Sequence, residues 1–210
     1  MSSTSAEFLA DRLQKLAGSS RRFMAAIAGP PGAGKSTLSA ALAGALAERG
    51  ERSIVVPMDG FHFDDSVLEA RGQRSRKGAA FTFDCAGFEV LLRRIRGCEA
   101  DVAIPLFDRR LELSRAGAAI VDAETRFILI EGNYLLLDED PWRRLRELFD
   151  DSMFIDVPVE ELRRRLLLRI QSFGASLQAA EQWLEGNDLP NIRHVLEWSA
   201  GAKLRISDWR

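Results

Sequence analysis

The sequence predicts an α/β fold in which helices cover both faces of a mostly parallel sheet. Short, continuous apolar segments such as residues 23–28 and 127–130 are typical of strands buried on both faces. Segments with helical spacing of apolar residues lie between these strands. This alternation favours parallel pairing, because a parallel neighbour is reached only through a long crossover connection.

The helices follow from apolar spacing and from end signals. Leu9, Leu13 and Leu16 share one face of a predicted helix, and Gly50 ends a second helix. Asp140-Pro141 combines a cap with a proline in the first turn of a later helix. The predicted helices cover residues 4–17, 35–49, 84–97, 141–149, a stretch from 158 onward, 176–185 and 189–199.

The strands follow from runs of apolar and β-branched residues that are too short for helices. The run at 127–130 is the most hydrophobic of them. The predicted strands cover residues 23–28, 53–57, 102–104, 127–130 and 153–157, with residues 203–206 as a late edge strand.

Composition limits the class of protein. The 210 residues are 46% hydrophobic and 29% charged, which is typical of one globular domain and predicts a single domain over residues 1–210. A net charge of -2 argues against a dedicated nucleic-acid binder. Cys85 and Cys98 form no metal-binding or redox motif and are expected to be reduced thiols.

The chain carries no signal for export or membrane insertion. The first residues lack a basic segment, and no uninterrupted run of eighteen apolar residues occurs. We therefore expect a cytoplasmic protein that does not insert into membranes. A homodimer is left open, because no segment reports on the oligomeric state.

A phosphate-binding loop is the strongest functional signal. The segment after the first strand matches G-x-x-x-x-G-K-[ST], follows a buried strand and opens a helix, as this motif requires. Its backbone amides are expected to surround phosphate oxygens, with Lys35 on the β and γ phosphates and the Ser36 hydroxyl on Mg²⁺. The predicted nucleotide-binding residues are Gly29, Pro30, Pro31, Gly32, Ala33, Gly34, Lys35, Ser36 and Thr37.

Polar residues follow the second strand. Asp59 lies just beyond it, where ligands bind to open α/β sheets, so its carboxylate could take the proton of an attacking hydroxyl or hold the metal's water. The alternative for Asp59 is a turn aspartate before Gly60. His62 either faces a substrate or packs among its aromatic neighbours.

Two further rim positions suggest roles in binding. Glu131 ends an apolar strand, where a carboxylate commonly orients Mg²⁺ or its water. Arg109 follows the strand at 102–104 and could bind an anionic group, with a surface ion pair as the alternative.

An arginine-rich helix suggests a lid. Arg165 and Arg169 lie one turn apart on one helical face and could stabilise the charge of a transferring phosphoryl group. A hinge at 172–174 would complete a lid-like segment at about 163–176.

The ordered set of motifs resembles one kinase group. The segments GPPGAGKST, MDGFH, RKGAAFTFD, IPLFDR, ILIEGNYLLLD, RRRLLLR and GNDLPN are similar to those of the uridine kinase, phosphoribulokinase and bacterial pantothenate kinase group of P-loop kinases, above all to fructose transport system kinases. The resemblance spans residues 22–195.

The resemblance implies a fold and a reaction. The expected fold is a P-loop NTPase three-layer α/β/α sandwich around a five-stranded parallel sheet. The expected reaction is phosphorylation of a small molecule's hydroxyl by ATP with Mg²⁺. Asp59 would be the catalytic base, Glu131 the acid near the metal, Arg109 a substrate residue and Asp84 a substrate-side residue, with Arg165 and Arg169 in the lid.

Several functions stay in competition. A small-molecule kinase acting on a fructose-like sugar is favoured, with nucleoside or pantothenate as alternative acceptors. A nucleotide switch or GTPase would need an Asn-Lys-x-Asp motif, and an ATPase motor or transporter subunit would be expected to carry Leu-Ser-Gly-Gly-Gln; neither motif occurs. An ATP-binding sensor without kinase activity is the fourth reading, and Asp59→Asn would separate it from a kinase.

Overall fold

The main sheet has five parallel strands. The computed structural model describes residues 4–207. The sheet strands within them are β1 (Phe23–Ala28), β2 (Ser53–Pro57), β5 (Phe127–Gly132), β6 (Asp151–Ile155) and β7 (Leu204–Ile206), and the strands outside the sheet are β3 (Val102–Asp108) and β4 (Leu113–Val121). The strand order in the sheet is β2-β5-β1-β6-β7, and all four pairings are parallel, which confirms the predicted architecture.

Helices cover both faces of this sheet. Met24, Ala26 and Ala28 of β1 belong to one hydrophobic core, whereas Ala25 and Ile27 belong to the other. Alternate residues of a strand point to opposite faces, so the central strand is buried on both sides. The α-helices are α1 (Ala6–Ala17), α2 (Lys35–Glu48), α3 (Asp65–Ala70), α4 (Cys85–Arg96), α5 (Val159–Ser172), α6 (Leu177–Trp183) and α7 (Leu189–Trp198).

One predicted strand does not join the sheet. Residues 102–104 lie in β3, which is longer than expected and pairs antiparallel with β4, a strand that the sequence analysis missed. Only four residues separate β3 from β4, so the hairpin satisfies its backbone hydrogen bonds locally. The fifth strand of the sheet is β7, at the position predicted for an edge strand.

Two helical segments also differ from the α-helices expected. Trp142–Leu148 forms a 3-10 helix, and Leu184–Asp188 forms a π-helical turn between α6 and α7. The longest helices in residues 4–207, α2 and α5, have 14 residues each, and none of the described helices is long and apolar enough to span a bilayer.

Candidate active site

A cleft of about 690 Å³ opens at the carboxyl ends of β1, β2 and β5. Ligands of open parallel sheets bind outside this end of the strands. The cleft walls come from the loop after β1, the turn after β2, the β3–β4 hairpin and the segment from α5 to α7. Its charged lining residues are Lys35, Arg74, Lys77, Arg109, Arg165 and Arg169 against Asp59, Glu112, Glu131 and Asp188.

The loop between β1 and α2 has the shape of an anion cradle. Gly32 and Gly34 adopt φ angles of 81° and 93°, in the left-handed region that favours glycine. A Cβ at Gly29 would lie only 2.9 Å from the Ile155 carbonyl oxygen. No side chain caps the start of α2, so the amides of its first turn are free to bind an anion.

The nine predicted nucleotide-binding residues divide into two groups. The residues that line the cleft are Pro31, Gly32, Gly34, Lys35, Ser36 and Thr37. Gly29, Pro30 and Ala33 lie behind them and shape the loop, and Ala33 is fully buried. These three residues therefore determine the backbone conformation of the loop and do not form part of the cleft surface.

The Lys35 ammonium is buried at the base of the cradle. Its Nζ donates to the Pro30 carbonyl oxygen at 3.0 Å and to Asn133 Oδ1 at 2.6 Å. Burial lowers the pKa of Lys35 to about 8, although the nearby carboxylates of Glu131 and Asp59 oppose this shift. The amine is thus held in place by neutral acceptors that a phosphate could replace.

Ser36 and Glu131 form an oxygen pair beside Lys35. The Ser36 hydroxyl donates to Glu131 Oε1 at 3.0 Å. Burial, followed by repulsion from Asp59, raises the pKa of Glu131. The backbone at Gly132 packs closely against Met58, because a Cβ at Gly132 would lie 2.6 Å from Met58 Cβ.

Asp59 projects from a 3-10 turn directly after β2, and its carboxylate is held by Arg109. Arg109 Nη2 donates to Asp59 Oδ2 at 2.8 Å across the hairpin side of the cleft. The turn requires Gly60, because a Cβ there would lie 2.4 Å from the Pro105 carbonyl oxygen. Close packing of the turn against β3 therefore fixes where the carboxylate sits.

His62 both lines the cleft and packs among aromatic rings. Its ring centroid lies 4.0 Å from that of Phe83 and 4.7 Å from that of Phe107. Its Nδ1 is 2.8 Å from the Asp59 carbonyl oxygen. Burial lowers the pKa of His62, which favours the neutral ring.

Arg165 and Arg169 both lie on the cleft side of α5. Arg165 pairs with Glu161 at 2.7 Å and donates to the Gly32 carbonyl oxygen at 3.4 Å, which ties α5 to the phosphate-binding loop. Arg169 has no carboxylate within 4.0 Å among residues 4–207. Burial in the cleft, followed by repulsion from the charge of Arg109, lowers the pKa of Arg169. α5 ends at Ser172, and Gly174 follows with a φ of 91°, at the position predicted for a hinge.

Asp84, expected on the substrate side by resemblance, lies at the start of α4, and its role toward a substrate stays a prediction. Asp84 is the N-cap of α4, and its Oδ1 accepts a hydrogen bond from the Gly87 amide at 2.9 Å. It is not among the residues that line the cleft. The carboxylate thus satisfies a free backbone amide in the first turn of α4, as an N-cap residue does.

Several cleft residues escaped the sequence analysis. Asn133 lies two residues after Glu131 and lines the cleft. The only sequence signal for Asn133 was this position close to the predicted metal ligand. Lys77 is 7% exposed and donates to Asp65 Oδ1 at 2.6 Å, although a lysine in a basic stretch is usually solvated. Asn187, Asp188 and Asn191 belong to the quoted GNDLPN segment, which was the one available signal for them.

Comparison with known proteins extends these observations. The model of the family "Methylmalonyl Co-A mutase-associated GTPase MeaB" matches residues 2–63, under a third of the chain, centred on the phosphate-binding loop. "Uncharacterized protein YggC" of Escherichia coli (strain K12) is 37% identical over 89% of this chain and 78% of its own length. "Putative uridine kinase C227.14" of Schizosaccharomyces pombe is 32% identical over 89% of this chain and 83% of its own length.

A solved structure matches nearly the whole chain. The "putative fructose transport system kinase" from Silicibacter sp. TM1040 has a TM-score of 0.91 and 41% sequence identity, over 96% of this chain and 98% of that one. This structural match and the residues of the cleft together identify the chain as a P-loop phosphotransferase, a narrower class than nucleotide-binding domains in general. The chain belongs to the P-loop kinases of the uridine kinase, pantothenate kinase and phosphoribulokinase group, and it is an ATP-dependent small-molecule kinase.

Proposed function

We propose that this kinase transfers the γ-phosphoryl group of ATP to a hydroxyl group of a fructose-like sugar. The observation that carries the proposal is that Lys35, Asp59 and the Ser36–Glu131 pair line one cleft. Phosphoryl transfer needs a cation on the phosphates, a metal site and a group that receives the hydroxyl proton. The likeness to the Silicibacter protein supports a sugar as the acceptor.

The donor set beside the cradle fits Mg²⁺. Ser36 and Glu131 provide a hydroxyl and a carboxylate 3.0 Å apart, and Mg²⁺ prefers oxygen ligands. Within residues 4–207 no three His, Cys, Asp or Glu side chains are grouped as a metal site. Two protein oxygens suit an ion that takes its other ligands from phosphates and water. When bound, Mg²⁺ would offset the negative charge of the phosphate oxygens.

Asp59 is suited to receive the proton of the acceptor hydroxyl. Arg109 holds Asp59 Oδ2, and no described residue donates to Oδ1, so this oxygen remains available for the hydroxyl. Proton removal increases the nucleophilicity of the hydroxyl oxygen as it attacks the γ-phosphorus. Arg109 thus positions the proposed base through an ion pair inside the cleft. The sequence analysis had considered only an anionic ligand or a surface ion pair for Arg109.

Arg165 and Arg169 are proposed to stabilise the charge of the transferring group. Arg169 is the better placed, because it lacks a carboxylate partner among the described residues and lies near Asp59 and Arg109. A guanidinium in a partly desolvated cleft interacts strongly with phosphoryl oxygens.

Nucleotide binding should be accompanied by proton uptake at alkaline pH. Lys35 has a pKa of about 8 in the free protein, and phosphate oxygens beside Nζ should raise it. We expect uptake of about three quarters of a proton at pH 8.5 and little at pH 7. Calorimetric titration with ATP in buffers of different ionisation enthalpy measures this number. Lys35→Arg, whose guanidinium does not titrate, should remove the uptake, and an equal number of protons in both proteins would contradict the assignment.

The acceptor is tested by ADP release over a panel of compounds. Purified protein with ATP and MgCl₂ is assayed with D-fructose, uridine or pantothenate. We expect ADP release that depends on fructose. Dependence on uridine or pantothenate would replace the sugar by that acceptor, and ATP binding without any acceptor-dependent release would favour the ATP sensor.

A further inference from the structure

One buried carboxylate in the cleft has no role in the mechanism above. Asp188 ends the π-helical turn Leu184–Asp188, lines the cleft and is 8% exposed. Its Oδ2 is inaccessible to solvent and has no hydrogen-bond partner among residues 4–207. No described residue donates to Oδ1 either, and Oδ1 is not enclosed in this way, so it is the oxygen open to a ligand. π-helical turns are rare and frequently occur at functional sites.

The polar neighbours of Asp188 are already engaged. Asn187 Nδ2 donates to the Lys77 carbonyl oxygen at 2.8 Å, and its Oδ1 accepts from Arg76 Nε at 3.3 Å. Asn191 Oδ1 accepts from Arg76 Nη2 at 3.2 Å. These bonds attach the turn to the segment below the cleft, and none of them supplies a donor to Asp188. The carboxylate is therefore held in place and left unsatisfied.

An unsatisfied buried carboxylate is costly. Burial raises the pKa of Asp188 to about 6, and the charge of Arg169 only partly offsets this. Since the folded pKa lies above the unfolded value, the ionised group lowers stability as the pH rises through this range. Such a cost is typical of groups that bind a ligand, because a ligand donor removes it.

The charges around Asp188 indicate which donor fits. Four cleft cations already have carboxylate partners: Arg74 and Lys77 pair with Asp65, Arg109 pairs with Asp59, and Arg165 pairs with Glu161. Among the described residues, Lys35 and Arg169 are the cleft cations without a carboxylate within 4.0 Å, and they face the phosphates of ATP in the proposed mechanism. Arg169 is the cation whose charge acts on Asp188, and in the proposed mechanism it is engaged by the nucleotide. An anionic acceptor would thus meet Asp188 without a further unpaired cleft cation among the described residues to balance it.

We propose that Asp188 accepts a hydrogen bond from a hydroxyl group of the phosphate acceptor, one that is not itself phosphorylated, and that it selects uncharged polyhydroxylated acceptors. This inference rests on the proposed kinase function. A hydroxyl group donates to a carboxylate and brings no charge, so it satisfies Asp188 and leaves the surrounding ion pairs intact. A phosphate or carboxylate on the acceptor would be repelled at this position.

The test combines acceptor choice with two variants of Asp188. Wild-type protein is assayed for ADP release with D-fructose and D-ribose, and with D-fructose 6-phosphate and D-gluconate as charged counterparts. Asp188→Asn and Asp188→Ala are then measured with the best uncharged acceptor. Glu185→Gln is the matched control, because Glu185 lies in the same turn but is exposed and does not line the cleft.

We expect turnover with uncharged polyols and a rise of at least about tenfold in the acceptor KM of both variants, with the KM for ATP changed less than about twofold. The Tm of Asp188→Asn at pH 7.5 should be no lower than that of wild type, because an unpaired buried charge has been removed. A structural role would instead lower the Tm and leave KM unchanged. Unchanged acceptor KM, or turnover only with charged acceptors, would overturn the role of Asp188 while leaving the kinase function standing. Absence of acceptor-dependent ADP release with every compound would overturn the proposed function itself.

Discussion

Asp59→Asn should lower kcat for phosphoryl transfer by about a thousandfold while ATP binding stays within about threefold of wild type. Asparagine keeps the shape of the side chain but cannot accept the hydroxyl proton. It also releases Arg109 from its ion pair, which adds positive charge to the cleft and should not weaken nucleotide binding. Steady-state ADP release and calorimetric titration with ATP measure the two quantities.

Asp108→Asn provides the comparison for this variant. Asp108 lies at the end of β3 beside Arg109, but its carboxylate accepts from the backbone amides of Arg110 and Leu111 and does not line the cleft. Its loss should leave kcat within about twofold of wild type. If Asp59→Asn retained wild-type kcat, or lost activity only in step with lost ATP binding, Asp59 would not be the base.

Lys35→Met should lower kcat/KM for ATP by about a hundredfold to a thousandfold, because the ammonium is expected to contact the β and γ phosphates. The same change should not lower the Tm at pH 7. The pKa of Lys35 is about 8 in the folded protein and higher in the unfolded chain, so at neutral pH the buried charge opposes folding. Stability of the wild-type protein should accordingly increase between about pH 8 and pH 10.

These two effects are measured by ATP-dependent turnover and by thermal unfolding at several pH values. Lys203→Met is the control, since Lys203 is exposed and donates to the Asp150 carbonyl oxygen away from the cleft. Loss of activity together with a large drop in Tm would mean that Lys35 supports the fold rather than the phosphates. An increase in Tm with full activity would remove Lys35 from the nucleotide site.

The elements that the sequence predicted well are those set by local patterns. The phosphate-binding loop follows from glycines at fixed offsets and from the strand and helix on either side, all within a few residues. Asp59 and Glu131 were placed at the rim because each follows a buried strand, and parallel strands end at one edge of the sheet. Their presence in one cleft is observed, whereas their chemical roles stay predictions until the variants are measured.

The errors in the fold also have a physical cause. β3 was predicted as an ordinary short strand because apolar residues 102–104 carry the same local signal in a hairpin as in a parallel sheet. The middle of its partner β4 consists of the exposed residues Arg115, Ala116 and Gly117, which are polar or small, so β4 lacked the signal of a buried strand. Asp84 was expected on the substrate side by resemblance; the structure shows its carboxylate as the cap of α4, and a role toward the substrate stays a prediction.

The sequence by itself determined the class of fold, the phosphate-binding loop and the candidates for base and metal ligand, because these depend on contacts between near neighbours in the chain. Only the tertiary structure decided which distant side chains meet in the cleft. The bonds from Lys35 to Asn133, from Asn187 to Lys77 and from Arg109 to Asp59 join residues 98, 110 and 50 positions apart. Contacts over such distances depend on how the layers pack, and no local pattern encodes them.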